Sequence, residues 1–125
     1  MEYSSEVVGR FESPEGAGEL PHGTAGLVTG EAQDRTLQVW VRLQLQVTDG
    51  IIHCARFRVF GCPHTVAAAS RVAEWLTGRP VDDARTLDVD ALRDRLDVPV
   101  EKLGKLLRIE DALIQCLGKL DDKDV

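Results

Sequence analysis

Between residues 37 and 47 apolar and polar side chains alternate without a break. Leu37, Val39, Val41, Leu43, Leu45 and Val47 fall on one side, and mostly polar residues fall on the other. A half-buried strand has this period of two, so the segment predicts a sheet with one face on a core and the other toward water. Thr48-Asp49-Gly50 is a tight-turn sequence, and residues 51–60 form the next strand, with Ile51, Ala55, Phe57 and Val59 sharing a face. Upstream, Leu27-Val28-Thr29 reads as a short strand, and Gly30-Glu31-Ala32-Gln33-Asp34 as the hairpin turn after it. Three consecutive antiparallel strands make a meander.

The rest of the chain carries helical periodicity. Ser4 is placed to cap a short N-terminal helix, with Tyr3 and Val8 at the staple positions that fix how the chain leads in. Val7, Val8 and Phe11 share a face of that helix, and Pro14 ends it. Residues 15–26 are rich in glycine and polar side chains and are broken by Pro21, which reads as an extended, mobile loop. Residues 62–77 place Val66, Ala69, Ala73 and Leu76 at helical spacing and stop at Gly78, with Pro80 beyond. Short helices are expected over 81–85 and over 88–96, the second with Val89, Leu92 and Leu96 inward. The last helix runs from about Pro99 to Leu120, with Leu103, Leu106, Ile109, Leu113, Leu117 and Leu120 on its apolar side. Strands first and helices afterwards define an α+β domain: a three-stranded antiparallel β-meander packed against helices on one face. A single domain over residues 1–125 is expected, without internal repeat or linker.

Bulk properties remove several classes of function. A chain of 125 residues, 43% hydrophobic and 29% charged, suits one soluble domain with one core. Its net charge of −6 repels phosphate backbones, and no cluster of Lys and Arg with interleaved aromatics offsets this. Nucleic acid is therefore not an expected partner, whereas a basic protein is. No apolar stretch is long enough to cross a bilayer, so no membrane association is expected. Met1-Glu2-Tyr3-Ser4 shows no basic-then-apolar targeting pattern, and the expected location is cytoplasmic. Cys54, Cys62 and Cys116 are odd in number with no close pair, which argues for reduced thiols.

Chemistry concentrates at Gly61-Cys62-Pro63-His64, where a strand passes directly into a helix. Proline is favoured at the first helical position because its missing N–H would have no partner there, so Cys62 falls at or beside the N-cap. Free amides and the helix dipole at that point favour a thiolate. His64 is close enough to add positive charge or to serve as a second soft ligand. A thiol so placed suits metal ligation, persulfide chemistry or thiol–disulfide exchange; the plain alternative is a small buried packing residue. The Cys-Pro-His run is also found in thioredoxin-like oxidoreductases, but Thr65 stands where their second cysteine would be. Cys54 shares a strand face with Arg56 and Arg58 and reads as structural and partly exposed, Cys116 as core, and His22 and His53 as surface groups. The 121–124 tail reads as a frayed charged end.

The chain resembles the U-type iron–sulfur cluster scaffold family, the IscU and NifU N-terminal type. Tyr3-Ser4-Ser5-Glu6-Val7 with Pro14, Gly18 and Leu20 resembles the family's opening. Gly50-Ile51-Ile52 followed by Ala55-Arg56-Phe57-Arg58-Val59-Phe60-Gly61-Cys62 is similar to its most recognisable stretch. Ala67-Ala68-Ala69-Ser70, Ala73-Glu74-Trp75-Leu76-Thr77-Gly78, Val98-Pro99, Lys102-Leu103 and Glu110-Asp111-Ala112 continue the match in order. The resemblance implies a three-stranded antiparallel sheet with helices, and a 2Fe–2S cluster held by three cysteines helped by an Asp and a His. Of those ligands Cys62 alone is matched. The family's Cys-Gly-Asp falls on Leu37-Gln38-Val39, and Asp34 takes the Asp role only after a shift. The family's His-Cys falls on Gly104-Lys105, where Lys105 can instead stabilise the Cys62 thiolate. The chaperone-recognition segment reads Val98-Pro99-Val100-Glu101-Lys102, with one proline gone and an acidic residue added, so delivery by an Hsp70-type chaperone is doubtful.

Three functions follow from the resemblance. One is a scaffold or carrier that holds iron or a labile cluster through Cys62 and His64, with Asp34 or Cys54 nearby or with a second copy in a homodimer; zinc is an alternative occupant. A second is a non-cluster-binding regulatory or adaptor module that engages the cysteine desulfurase and other iron–sulfur assembly proteins. The third is a persulfide acceptor that needs only Cys62. None of them requires an enzyme.

Overall fold

The computed structural model describes residues 3–123, with side chains as far as Asp121. The readings made on Met1, Glu2 and Asp124 lie outside the described residues. The elements are α1 (Ser5–Glu12), β1 (Leu27–Asp34), β2 (Val39–Thr48), β3 (Ile51–Phe60), α2 (Pro63–Leu76), α3 (Val81–Ala84), α4 (Val89–Leu96) and α5 (Leu103–Lys123). A single 3-10 turn, Val100–Lys102, leads into α5.

The three strands form an antiparallel sheet in the order β1-β2-β3. The alternation seen in the sequence is the alternation of burial: Val39, Val41, Leu43 and Leu45 are buried, and the residues between them are half-exposed. Their buried face meets two helices. α5 lies across β1 and β2, and α2 packs on β3. Leu106, Ile109, Leu113 and Leu117 from α5 and Ala67, Ala68, Val72 and Leu76 from α2 complete this core. Cys116 belongs to it as expected, its thiol donating to the Leu43 carbonyl at 3.4 Å. No helix among the described residues is long and apolar enough to cross a membrane.

The expected hairpin turn at 30–34 is instead the second half of β1, paired from Gly30↔Leu43 to Asp34↔Val39. Gly30 marks a close approach rather than a turn: a Cβ there would run into the Ala112 carbonyl of α5. The turn sits at residues 35–38, where the Asp34 carboxylate accepts the Leu37 N–H at 3.0 Å. Gln38 then takes a left-handed φ of +55°. Leu37 thereby leaves the strand, although it still packs against the core.

The 15–26 loop, expected to be mobile, is fastened to the sheet. Gly18 N–H donates to the Phe57 carbonyl at 2.9 Å, Leu20 N–H donates to Gln44 Oε1 at 2.8 Å, and Glu19 bridges Arg42 and Arg58 at 3.0 and 3.1 Å. α1 buries Val7 alone of its expected face and leaves Val8 42% and Phe11 47% exposed. Ser4 caps α1 as expected, accepting from the Val7 N–H.

What ties α1 down is charge. Glu6 accepts from Arg10 at 2.8 Å and from Arg71 at 2.7 Å, and Arg10 also reaches Glu74 at 2.6 Å. Burial pushes the Glu6 carboxyl up, but the hydrogen bonds from Arg10 and Arg71 outweigh it and hold the group below its ordinary value. A carboxylate with a depressed folded value stabilises the protein above the unfolded carboxyl range and loses that contribution as pH falls. Glu6→Gln is thus expected to cost about 1–2 kcal/mol at neutral pH, after allowance for solvent screening. Urea melts should show the gap between variant and wild type closing below about pH 4; a pH-independent gap would mean that shape, not charge, docks α1.

Candidate functional site

Cys62 is the N-cap of α2, extended at φ −80° and ψ 167°, with Pro63 opening the helix behind it. The local sequence sets this geometry: β3 ends at Phe60, Gly61 releases the chain, and proline starts the helix without an unsatisfied N–H. Thr65, one turn on, is buried with its hydroxyl 3.5 Å from Cys62 Sγ. From the far end of the chain Lys102 brings its ammonium to 3.8 Å from the same sulfur. Burial raises the Cys62 thiol, but the hydroxyl and backbone N–H of Thr65 and the charges of Lys102 and Lys105 together outweigh it. The thiol is held below its ordinary range.

His64 is fully buried. Its Nδ1 lies 3.0 Å from Lys102 Nζ, and since an ammonium has donors only, Nδ1 is the acceptor and the ring proton sits on Nε2. Burial first, then the charges of Lys102 and Lys105, depress the imidazole against an opposing pull from Asp97, which keeps it neutral. The Tyr3 ring packs on it at 4.7 Å between centroids. His64 therefore adds no positive charge, and its Nδ1 is taken up by the lysine that does the charging.

Lys102 is the functional residue that sequence reasoning missed. Lys105 was expected beside the thiolate and does contribute, but less than Lys102. Lys105 was singled out because the family's His-Cys falls on Gly104-Lys105, and that alignment says nothing of Lys102. The 3-10 turn at Val100–Lys102 changes the register, and it aims Lys102 at the α2 N-terminus. Its place within the family-like segment was the available signal.

The other expected ligands do not gather here. Asp34 is spent on the Leu37 N–H and on Arg108, whose Nη1 lies 3.6 Å away. Cys54 pairs with Gln46, whereas Phe60 pairs with Trp40. At the rise of a strand Cys54 therefore sits about 20 Å from the Cys62 end of β3. His22 and His53 are exposed. Among the described residues no three His, Cys, Asp or Glu side chains converge as a metal site.

A three-stranded meander backed by helices, with one activated thiol raised where its third strand meets a helix, has the architecture of a U-type scaffold. The chain belongs to the NifU-like N terminal domain family, whose model matches residues 2–125. It is similar to the iron–sulfur cluster assembly scaffold protein IscU of Escherichia coli (strain K12), 30% identical over 124 residues covering 98% of this chain and 97% of that protein. The scaffold protein IscU of Rickettsia prowazekii (strain Madrid E) is 33% identical over 124 residues, 98% of this chain and 95% of its own length. The crystal structure of a nitrogen-fixing NifU-like protein (N-terminal) from Brucella abortus shares the fold with a TM-score of 0.75 at 17% identity, covering 96% of this chain and 94% of that one.

Proposed function

We propose that this protein acts in iron–sulfur cluster assembly as a scaffold-like sulfur carrier, with the Cys62 thiolate as its working group and a cysteine desulfurase as its donor. The carrying observation is the Lys102 ammonium, 3.8 Å from Cys62 Sγ and held in place by His64. The assembly process is supported by relatives that match nearly the full chain.

In the step proposed, the Cys62 thiolate attacks the outer sulfur of the donor's cysteine persulfide. A new S–S bond forms at Cys62 as the donor's S–S bond breaks, and the donor cysteine leaves as a thiolate. The transferred sulfur keeps its proton or releases it to water. No net redox change occurs, so no further reactant is needed. Lys102 and Lys105 stabilise the anion before the transfer and the persulfide anion after it. The protein carries sulfur onward to other assembly proteins and is not an enzyme in its own right.

A protein donor has a surface to meet. Tyr3 contacts His64, Phe60 lies two residues before Cys62 at 73% exposure, and Val100 lies two residues before Lys102 at 66%. Exposed apolar side chains close to Cys62 and Lys102 in the chain are available to a docking partner. Three unpaired thiols support a reducing, cytoplasmic setting. Lys102 is committed to the thiol and Val98 is buried, which speaks against chaperone recognition of this segment by the family's usual route.

The test is incubation with a cysteine desulfurase and cysteine, followed by alkylative trapping and peptide mass spectrometry. One added sulfur on Cys62, none on Cys54 or Cys116, and complete loss in Cys62→Ala are expected. An unlabelled wild type, or a Cys62→Ala variant labelled as fully as wild type, would sink the proposal.

A further inference from the structure

We propose that Leu37, Gly104 and Lys105 form a closed seat where the family's cluster ligands would stand, so that this chain takes sulfur at Cys62 but holds no iron–sulfur cluster. The inference rests on Cys62 being the sulfur-handling group. It goes further in assigning the neighbouring residues the task of excluding iron.

The first support is register. The family-like Cys-Gly-Asp position falls on Leu37-Gln38-Val39, and Gln38 holds a φ of +55°. That left-handed conformation is the one in which glycine is cheapest, so the backbone keeps the shape of a glycine site without the glycine. Leu37 therefore occupies the first thiolate position. Val39, at the Asp position, is 2% exposed and is part of the hydrophobic core, where a carboxylate would have no water.

The second support is packing. Leu37 Cδ1 lies only 3.1 Å from where a Cβ on Gly104 would stand. Gly104 is the position of the family-like histidine, so the leucine fills the space into which an imidazole would extend. The two substitutions compensate one another, a large apolar side chain entering as a polar one leaves.

Charge and ligand count complete the case. Lys105 stands at the second vacated thiolate position, and its charge, with that of Lys102, acts on Cys62. Ammonium groups donate hydrogen bonds and have no lone pair for iron. Asp34 is occupied by Leu37 and Arg108, and Cys54 is at the other end of its strand. A 2Fe–2S cluster needs four ligands, and Cys62 is one thiolate. Bringing two copies together at Cys62 would face Lys102 and Lys105 of one against those of the other, which opposes the shared-cluster dimer.

The test is anaerobic reconstitution of the full chain with ferrous iron and sulfide, read by visible absorption and by iron and acid-labile sulfide retained after desalting. Wild type is expected to stay colourless, and Leu37→Cys/Gly104→His/Lys105→Cys to gain colour, iron and sulfide. A wild type that retains a cluster as monomer or dimer, or a folded triple variant that gains none, overturns the inference. Thermal melts test the seat even if the triple variant fails to fold. Gly104→Ala should be better tolerated in a Leu37→Ala background than in wild type, where the leucine Cδ1 must give way to the new methyl; additive changes in Tm overturn the contact. Persulfide loading of wild type is a separate readout. Its failure would remove the sulfur-carrier reading, while a coloured wild type would remove only the present one.

Discussion

Lys102→Met is expected to slow alkylation of Cys62 several-fold at neutral pH and to move the midpoint of its pH–rate profile upward. The thiolate is the nucleophile, and its population at a given pH depends on what stabilises negative charge on the sulfur. In wild type that stabilisation comes from the Thr65 hydroxyl and amide and from the two lysines, working against burial. Removing the ammonium 3.8 Å away leaves burial less opposed, so the folded thiol value rises toward the ordinary range and fewer molecules are ionised at neutral pH. Well above the ordinary thiol range both proteins are fully ionised, and their rates should converge. Partial exposure of Cys62 limits the effect, because water screens part of the attraction. Lys105→Met should move the profile in the same direction by less. Identical profiles for wild type and Lys102→Met would show that the charge does not set the reactivity of Cys62, and the sulfur-carrier reading would lose its physical basis.

What the sequence disclosed about this site divides along a physical line. The position of Cys62 was legible because strand, glycine, cysteine and proline follow one another, and capping is a local matter. The strand period was legible because one face of β2 meets a core along its whole length. Lys102 was not legible, since it reaches Cys62 across 40 positions of the chain and only after a 3-10 turn has set its direction. His64 was misjudged for a related reason. A histidine near a cysteine in sequence suggests added positive charge, whereas full burial and an ammonium at 3.0 Å keep it neutral. The face of α1 failed by a smaller margin: the period was right, but only Val7 had anything to pack on, and ion pairs supplied the rest. Family resemblance compensated for some of this. It fixed the order of elements and located the vacated ligand positions, which no periodicity could have marked.

Gly30→Ala is expected to be the most damaging small substitution outside the site, costing about 3 kcal/mol or more and lowering Tm by roughly 10 °C. Sequence alone made this glycine a turn residue; the structure puts it in the middle of β1, opposite Leu43, directly beneath α5. A methyl group there would collide with the Ala112 carbonyl and come within 2.9 Å of Cys116 Sγ. The carbonyl belongs to helix backbone and cannot rotate aside, so relief requires α5 to lift from β1. Lifting would strain the bonds by which α5 covers the open edge of the sheet, from Glu31 N–H to Gln115 Oε1 at 2.8 Å and from Lys119 Nζ to the Thr29 carbonyl at 2.6 Å. It would also uncover Cys116. Burial pushes that thiol up to about 12, which should leave it unreactive in the wild-type protein at neutral pH. In Gly30→Ala, alkylation of Cys116 should become measurable under native conditions, while Cys62 reacts as before. A variant that melts like wild type and keeps Cys116 inert would mean that the sheet and α5 do not approach as closely as the structure places them.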